Sequence, residues 1–196
     1  YRSGPGTNGF RVALNGASVT TTHVAEDIGY VVMETEKVDT ADGITYETDT
    51  TGTSVRGYDD ARYSETFDQT YTTAPLVLVS QLGMRGTEGS WAMIDSITTT
   101  TLTMYEDEDQ TTDTERSHQQ EYYAYAAFAA AGSFTLTDQT FLQDPVTVNL
   151  QNTYTNPVVI TTPYFTNDMN SPASTRVYDV TSNAFTLELD FTTDSF

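Results

Sequence analysis

Short apolar stretches separated by polar turns run along the whole chain. Strict apolar–polar alternation is typical of half-buried strands, and brief apolar runs bounded by Pro, Gly or Asn are typical of buried ones. No stretch keeps the period of 3.6 residues that a helix requires. The Ala-rich run Ala124–Ala131 is interrupted by Tyr125 and Phe128, and it predicts a strand that ends in a linker. The pattern therefore predicts an all-β protein.

The pattern also repeats along the chain. The segment Gln69–Val79 recurs as Asn152–Ile160, and each copy is a turn followed by Pro and a buried apolar strand. The segment Trp91–Tyr105 recurs as Thr175–Leu189, and each copy predicts a strand, a tight polar turn and a second strand. Each unit therefore contains a predicted strand and a predicted hairpin.

A third repeated segment closes the unit. His118–Phe128 aligns without gaps on His23–Met33, with the shared pattern His-x-x-Glu-x-x-small-Tyr. The chain then divides into the last strands of a first unit (1–36), a complete unit (37–131, with an insertion near 43–56) and the first strands of a further unit (132–196). The insertion predicts either a hairpin, from 44–46 and 54–56, or a flexible loop.

The apolar positions of the complete unit resemble those of the H-type lectin domain. The matching residues are Phe67-x-x-x-Tyr71-x-x-x-Pro75-Leu-Val-Leu-Val, Ile94-Asp-Ser-Ile97, Leu102-Thr-Met-Tyr105 and Tyr123-Ala-Tyr125-Ala-Ala-Phe128. The resemblance implies tandem antiparallel β-sandwiches of six strands, and oligomers that are commonly trimers. The chain is also similar to the H-type-lectin-like repeats of prokaryotic surface proteins, whose units close with a run like His23–Tyr30.

Charge and composition exclude some classes of partner. The formal net charge is −20, with a single Lys, two His and no Cys, which argues against nucleic acid and anionic lipid as partners. No apolar run is long enough to span a membrane. The acidic excess indicates either a halophilic protein or an acidic cell-surface protein with bound Ca²⁺. Position 1 is Tyr, so we expect a processed chain or a piece of a longer one, located outside the cell.

Four carboxylates are candidate calcium ligands, because hard cations prefer several carboxylate oxygens on a flexible loop. They are Glu106, Asp107, Asp109 and Asp113, in the segment before His118. The alternative is a solvated acidic loop with no ion. In the sugar-binding members of the resembled family, this segment supplies an aromatic or His side chain that packs on the sugar. Its acidic character here favours a structural role over sugar binding.

Two further groups have a functional and a structural interpretation. Trp91 and Arg85 flank the loop Gly83–Gly89 and are candidate sugar-binding residues; alternatively, Trp91 fills the core or a contact between units. His118 and Glu121 lie three positions apart on a predicted strand, where side chains point to opposite faces. We therefore predict that this pair does not converge on an ion and instead forms a structural contact, such as a loop-to-strand hydrogen bond.

The partial units leave unfinished sheets with exposed edges. They could close on each other, accept a strand from another copy, or belong to a longer array. The sequence favours a non-enzymatic extracellular structural protein that assembles with copies of itself, as a homopolymer or a trimer, by strand complementation. The alternative is a carbohydrate-binding lectin or adhesin, and a weaker third is a domain of a carbohydrate-active enzyme. The predicted assembly strands contain Phe10, Val12, Leu14, Ile28, Tyr30, Val32, Phe185, Leu187 and Leu189.

Overall fold

The computed structural model of the protein contains strands and no helix in the residues that it describes, which confirms the all-β class. These residues are 9–12, 25, 27–35, 37–41, 43–110, 114–129, 145–165 and 173–191. The strands in chain order are β1 (Lys37–Ala41), β2 (Ile44–Val55), β3 (Tyr63–Thr66), β4 (Leu76–Gln81), β5 (Ser90–Ile97), β6 (Thr101–Glu108), β7 (Glu121–Phe128), β8 (Val146–Asn149), β9 (Ala173–Tyr178) and β10 (Ala184–Phe191). Within these ranges, no helix is long and apolar enough to cross a membrane.

Strands β1 to β7 form two antiparallel sheets, of order β1-β2-β7-β4 and β3-β6-β5. The hairpin predicted over Trp91–Tyr105 is the β5–β6 pair. Its Thr-rich turn is closed by side chains, since the Thr98 hydroxyl accepts the backbone N–H of Thr101 at 2.9 Å. The strand predicted in the Ala-rich run is β7, which pairs with β2 on one side and β4 on the other.

Both of these sheets contribute to one apolar core. Alternation along β7 turns Tyr123, Tyr125 and Ala127 toward this core, whereas Ala126 and Phe128 pack on the opposite face. From Tyr125 to Phe128, strand β7 is therefore covered on both faces. Burial of each large apolar side chain contributes about 1.5–3 kcal/mol to stability. The buried core residues are Val55, Phe67, Tyr71, Val77, Ile94, Leu102, Met104, Tyr123, Tyr125 and Ala127.

The insertion near 43–56 is neither a hairpin of its own nor a loop. It forms β2, a strand of 12 residues that pairs with both β1 and β7. Gly52 has φ +62°, and the β2–β7 register shifts between Thr50 and Thr53. A glycine in this conformation accommodates a bulge, so the strand bends and continues where a hairpin would have reversed it.

The third sheet has the order β8-β10-β9 and repeats the arrangement β3-β6-β5. The hairpin predicted over Thr175–Leu189 is its β9–β10 pair. Its buried apolar residues are Val148, Phe185 and Leu187. Among the described residues from 145 to 191, no second sheet faces this one in the way that β1-β2-β7-β4 faces β3-β6-β5.

The strand predicted after Pro157 is not formed. Residues 157–160 lie outside the strands, and the Val158 side chain is 55% exposed. The equivalent strand β4 pairs only with β7, and the described part of the chain after residue 145 has no β7-like strand. This region instead contacts the β4 edge, where the Thr162 hydroxyl accepts the backbone N–H of Val79 at 3.0 Å.

Candidate functional site

The inward-facing row of β6 changes from apolar to acidic along the strand. Leu102, Met104, Glu106 and Glu108 share one face, and all four are buried. The segment Glu106–Asp109 is at most 2% exposed. The expectation of a solvated acidic loop is therefore wrong, because β6 continues through Glu108 and places two carboxylates at the end of the core. Calcium binding by these residues stays a prediction.

Glu121, at the start of β7, and His118, in the segment before β7, reach the same space. His118 Nε2 lies 3.6 Å from Glu106 Oε1 and 3.7 Å from Glu121 Oε1. The prediction that His118 and Glu121 point to opposite faces is wrong, because β7 begins at Glu121 and strand alternation does not extend back to His118. The predicted loop-to-strand hydrogen bond does form: Glu121 Oε1 accepts the backbone N–H groups of Arg85 and Gly86, the latter at 2.9 Å.

The glycine-rich loop 83–89 closes over this cluster. A Cβ atom placed on Gly86 would lie 2.3 Å from Cε1 and Nε2 of the His118 ring. Only glycine allows the loop backbone to come this close. The close approach holds the loop N–H groups against Glu121 and excludes water from the imidazole, whose side chain is 1% exposed.

Hydrogen bonds and burial set the protonation of the cluster. His118 Nδ1 lies 2.8 Å from Glu108 Oε1, which fixes the ring orientation. Glu106 Oε1 accepts hydrogen bonds from Ser90 and from Gln81 Nε2, the latter at 2.7 Å. Burial raises the pKa of Glu106 to about 8 and lowers the pKa of His118. We name the group formed by Glu106, Glu108, Glu121 and His118 the acidic cluster.

Asp107 points to the other face of β6, where it forms a buried ion pair. Its carboxylate accepts hydrogen bonds from Arg116 Nε at 2.8 Å and from a terminal guanidinium nitrogen at 2.6 Å. The guanidinium carbon also lies 3.5 Å from the centre of the Tyr58 ring. Asp107 therefore has a cation of its own and is separated from Glu106 and Glu108 by the strand.

The candidate calcium ligands are thus not gathered into one loop. Asp109 is buried beyond the end of β6, where its backbone N–H donates to Gly89 O at 2.8 Å. Asp113 lies outside the described residues. Sequence reasoning did not group Glu121 and His118 with Glu106. The signal was present in the spacing of Leu102, Met104 and Glu106, which places all three on the same face of a strand.

Trp91 lines a groove between β4, β5 and the segment around Thr162. The groove has a volume of about 260 Å³, and its lining includes Thr161, Thr162, Ser174 and Thr175. Arg85 is not part of this wall; it is exposed and reaches Gln120 O at 3.5 Å. The two candidate sugar-binding residues are therefore not brought together by this groove.

The predicted assembly residues fall into two groups. Phe185, Leu187 and Leu189 lie in β10, with Phe185 and Leu187 buried. The N-terminal ones lie outside strands, and their apolar side chains are exposed; Leu14 is outside the described residues. These exposed residues are Phe10, Val12, Ile28, Tyr30 and Val32.

Comparison with known proteins found no match: no family model, no curated protein and no solved structure matches the chain. The resemblance to the H-type lectin domain therefore stays a prediction.

Proposed function

We propose that the protein is an extracellular structural subunit built of tandem β-sandwich units, which assembles by strand complementation between copies. One observation carries this proposal. In the described residues from 145 to 191, the third sheet repeats only the β3-β6-β5 half of the central unit, while the pattern of the β7-like strand that is not found there occurs at His23–Met33. The N-terminal segment of one copy then supplies the β7-like strand of the sheet that would face the third sheet in the next copy.

The central unit defines the register of this complementation. There, Leu78 of β4 pairs with Ala126 of β7. The repeats align Leu78 with Ile160 and Ala126 with Val31, so the same register places Val31 opposite Ile160. In the single chain these two side chains are 60% and 37% exposed, and their burial in a shared sheet favours assembly.

Closure within one chain is the competing arrangement. A Cβ atom on Gly29 would lie 2.9 Å from Val158 Cγ1, so the N-terminal segment already contacts the third unit. The contact does not include a strand ladder, because none of the residues 27–35 belongs to a strand. It leaves Ile28, Tyr30 and Val32 exposed. This incomplete contact favours exchange of the segment with another copy.

Disulfide trapping separates the two arrangements, since the chain has no Cys. The single variants Val31→Cys and Ile160→Cys are mixed, oxidised and analysed by non-reducing electrophoresis. Complementation between copies predicts a mixed dimer in the mixture and a ladder of covalent oligomers from the double variant. Assembly should strengthen with salt, because screening reduces the repulsion between chains of charge −20. Electron microscopy of the same samples should show filaments.

The matched control replaces Ile160→Cys with Val180→Cys, a similarly exposed apolar position in the turn after β9. Val180→Cys should trap little dimer with Val31→Cys. The proposal is refuted if the double variant cross-links only within single chains at every protein concentration. Equal trapping at Val180 and Ile160 would refute the proposed register.

The groove beside Trp91 favours glycan binding as a second candidate function. A groove lined by an indole ring together with Thr and Ser residues suits a sugar, which stacks on aromatic faces and binds polar side chains. Trp91 is the only tryptophan, so its fluorescence reports binding directly. A glycan array followed by fluorescence titration tests this function. Saturable binding that is lost in Trp91→Ala supports it, and absence of any binding glycan rejects it.

A further inference from the structure

Gln81 and Ser90 meet between the two sheets of the central unit. Gln81 is the last residue of β4 and Ser90 is the first residue of β5, so the two residues belong to different sheets. Each lies in the inward row of its strand, two positions from Val79 in β4 and from Ala92 in β5. Gln81 Nε2 lies 3.4 Å from Ser90 Oγ. A side-chain amide therefore lies against a buried hydroxyl of the opposite sheet.

One carboxylate oxygen binds both of these groups. Glu106 Oε1 accepts a hydrogen bond from the Ser90 hydroxyl and another from Gln81 Nε2, the latter at 2.7 Å. The same oxygen is thus placed to take the proton of the hydroxyl and to return it to the amide nitrogen. A carboxylate within hydrogen-bond reach of a hydroxyl can act as its general base. Burial raises the pKa of Glu106 to about 8, which suits exchange of a proton near neutral pH.

The surrounding side chains hold this arrangement away from solvent. His118 Nε2 lies 3.6 Å from Glu106 Oε1 and 3.4 Å from Ser90 Oγ. Glu106 is fully buried and Ser90 is 7% exposed. The serine hydroxyl, and not bulk water, is therefore the nucleophile that the protein holds against the amide of Gln81.

We propose that Ser90 and Gln81 form an intramolecular ester, with Glu106 as the catalytic base and acid. Ser90 Oγ attacks Cδ of Gln81 while its proton passes to Glu106. The new C–O bond forms and an electron pair moves onto Gln81 Oε1; this pair returns when the bond between Cδ and Nε2 breaks. Glu106 gives the proton to Nε2, which leaves as ammonia. The reaction needs no oxidant, reductant or further reactant.

Contact between the groups and release of ammonia both favour the ester. An amide is ordinarily the more stable of the two, but groups held in contact react with effective molarities of about 10⁵–10⁸ M. Gln81 and Ser90 also line the groove beside Trp91, which gives ammonia an exit to dilute solution. The bond joins the sheets at the end of the core where carboxylates replace hydrocarbon; until it forms, that end has no covalent link between facing side chains. This reaction does not depend on the assembly function proposed above.

Trypsin and mass spectrometry test the proposal, because Arg85 lies between the two residues. Without an ester, digestion of the denatured full chain releases residues 63–85 and 86–116 as separate peptides. We expect these two peptides to stay joined, and the intact chain to be lighter by the mass of one ammonia molecule. Hydroxylamine should separate the joined pair, because it cleaves esters and leaves amides intact. Neither peptide contains Lys, so a Lys–carboxyl amide cannot account for the joined pair.

Three variants assign the roles of the side chains. Ser90→Ala should abolish the joined pair, whereas Ser96→Ala, a matched change in the same strand, should leave it. Glu106→Gln keeps the size of the side chain and removes the base, so it should slow the loss of ammonia at least about 100-fold. The rates come from intact masses sampled during cell-free synthesis and subsequent incubation. Circular dichroism of each variant shows that a lost cross-link is not a lost fold.

Several results would overturn the proposal. Full mass with separate peptides after prolonged incubation would mean that the amide and the hydroxyl do not react. Loss of ammonia with separate peptides would place that loss elsewhere in the chain. A joined pair that persists in Ser90→Ala would exclude Ser90 as the nucleophile. Equal rates in Glu106→Gln and the parent protein would exclude Glu106 as the base.

Discussion

Removal of Arg116 should strongly destabilise the central unit. The Asp107 side chain is 0% exposed and the Arg116 side chain 9% exposed, and they share two hydrogen bonds. Arg116→Met keeps the length of the side chain and its packing on Tyr58 but leaves Asp107 buried without a cation. Breaking a buried pair on one side costs about 3–5 kcal/mol, and the lost cation–π contact adds about 1 kcal/mol.

Urea denaturation followed by Trp91 fluorescence measures this loss. Asp107→Asn combined with Arg116→Met removes both charges, so the double variant should regain at least about 2 kcal/mol relative to Arg116→Met alone. The backbone of Trp91 pairs with Asp107 in the β5–β6 ladder, so the probe reports the same region.

The pH dependence gives an independent check. Burial raises the pKa of Asp107, and the hydrogen bonds and charge of Arg116 oppose that rise. In Arg116→Met the largest influence, burial, is opposed only by the backbone N–H of Glu108 and the charge of Arg62, so the pKa of Asp107 rises further and the folded state binds a proton more tightly than the unfolded state does. Stability of this variant should then increase as pH falls from 7 toward the ordinary range of Asp, more steeply than in the parent protein. A loss below about 1 kcal/mol at pH 7, or a pH profile parallel to that of the parent, would refute a buried ion pair.

Three further outcomes follow from the same structure. Burial raises the pKa of Tyr105 to about 12 and that of Tyr123 well above 10. The folded state holds these protons more tightly than the unfolded state, so the free energy of unfolding should fall as pH rises above about 10. An ultraviolet absorbance titration paired with urea denaturation measures this. Gly86→Ala should cost about 1–3 kcal/mol, measured by urea denaturation, because its Cβ would meet the His118 ring. Leu102→Ala should cost about 2–5 kcal/mol in the same measurement, because Leu102 is fully buried between the sheets.

Gly86→Ala and Leu102→Ala each have a matched control. Gly9→Ala adds a Cβ that meets no atom within 4 Å, and Val12→Ala shortens an exposed side chain. Both should stay within about 0.5 kcal/mol of the parent. If Gly86→Ala matched Gly9→Ala, the loop could not lie on His118. If Leu102→Ala matched Val12→Ala, the core between the two sheets would be misassigned.

Local patterns predicted the hairpins and the central strand well. Thr-rich turns between apolar runs indicated the β5–β6 and β9–β10 pairs, and β7 followed from tyrosines alternating with small residues. The strand after Pro157 was predicted by the same reasoning but is not formed. An apolar run forms a strand only when a second strand is available to pair with it. The residues within the run do not reveal whether such a strand exists.

The acidic cluster shows that a run of acidic residues can be buried when solvent exposure is expected from its charge. Four consecutive acidic residues indicate solvent exposure in most proteins. Here Glu106 and Glu108 lie on the same inward face of β6 as Leu102 and Met104. Because the strand continues, alternation places both carboxylates inside despite the cost of burying them. His118 and Glu121 were assigned to opposite faces because the strand was assumed to include both. Residue spacing is informative only once the first residue of the strand is known.

The change from apolar to acidic along β6 also divides this strand into parts of unequal local stability. Near Leu102 and Met104, separating the sheets exposes hydrocarbon to water, so these amide hydrogens exchange with solvent only when the whole unit unfolds. Near Glu106 and Glu108, separating the sheets rehydrates carboxylates, which lowers the cost of a local opening. The central unit should therefore open first at its acidic end, and the dissolved ions around the protein should set how often that end opens.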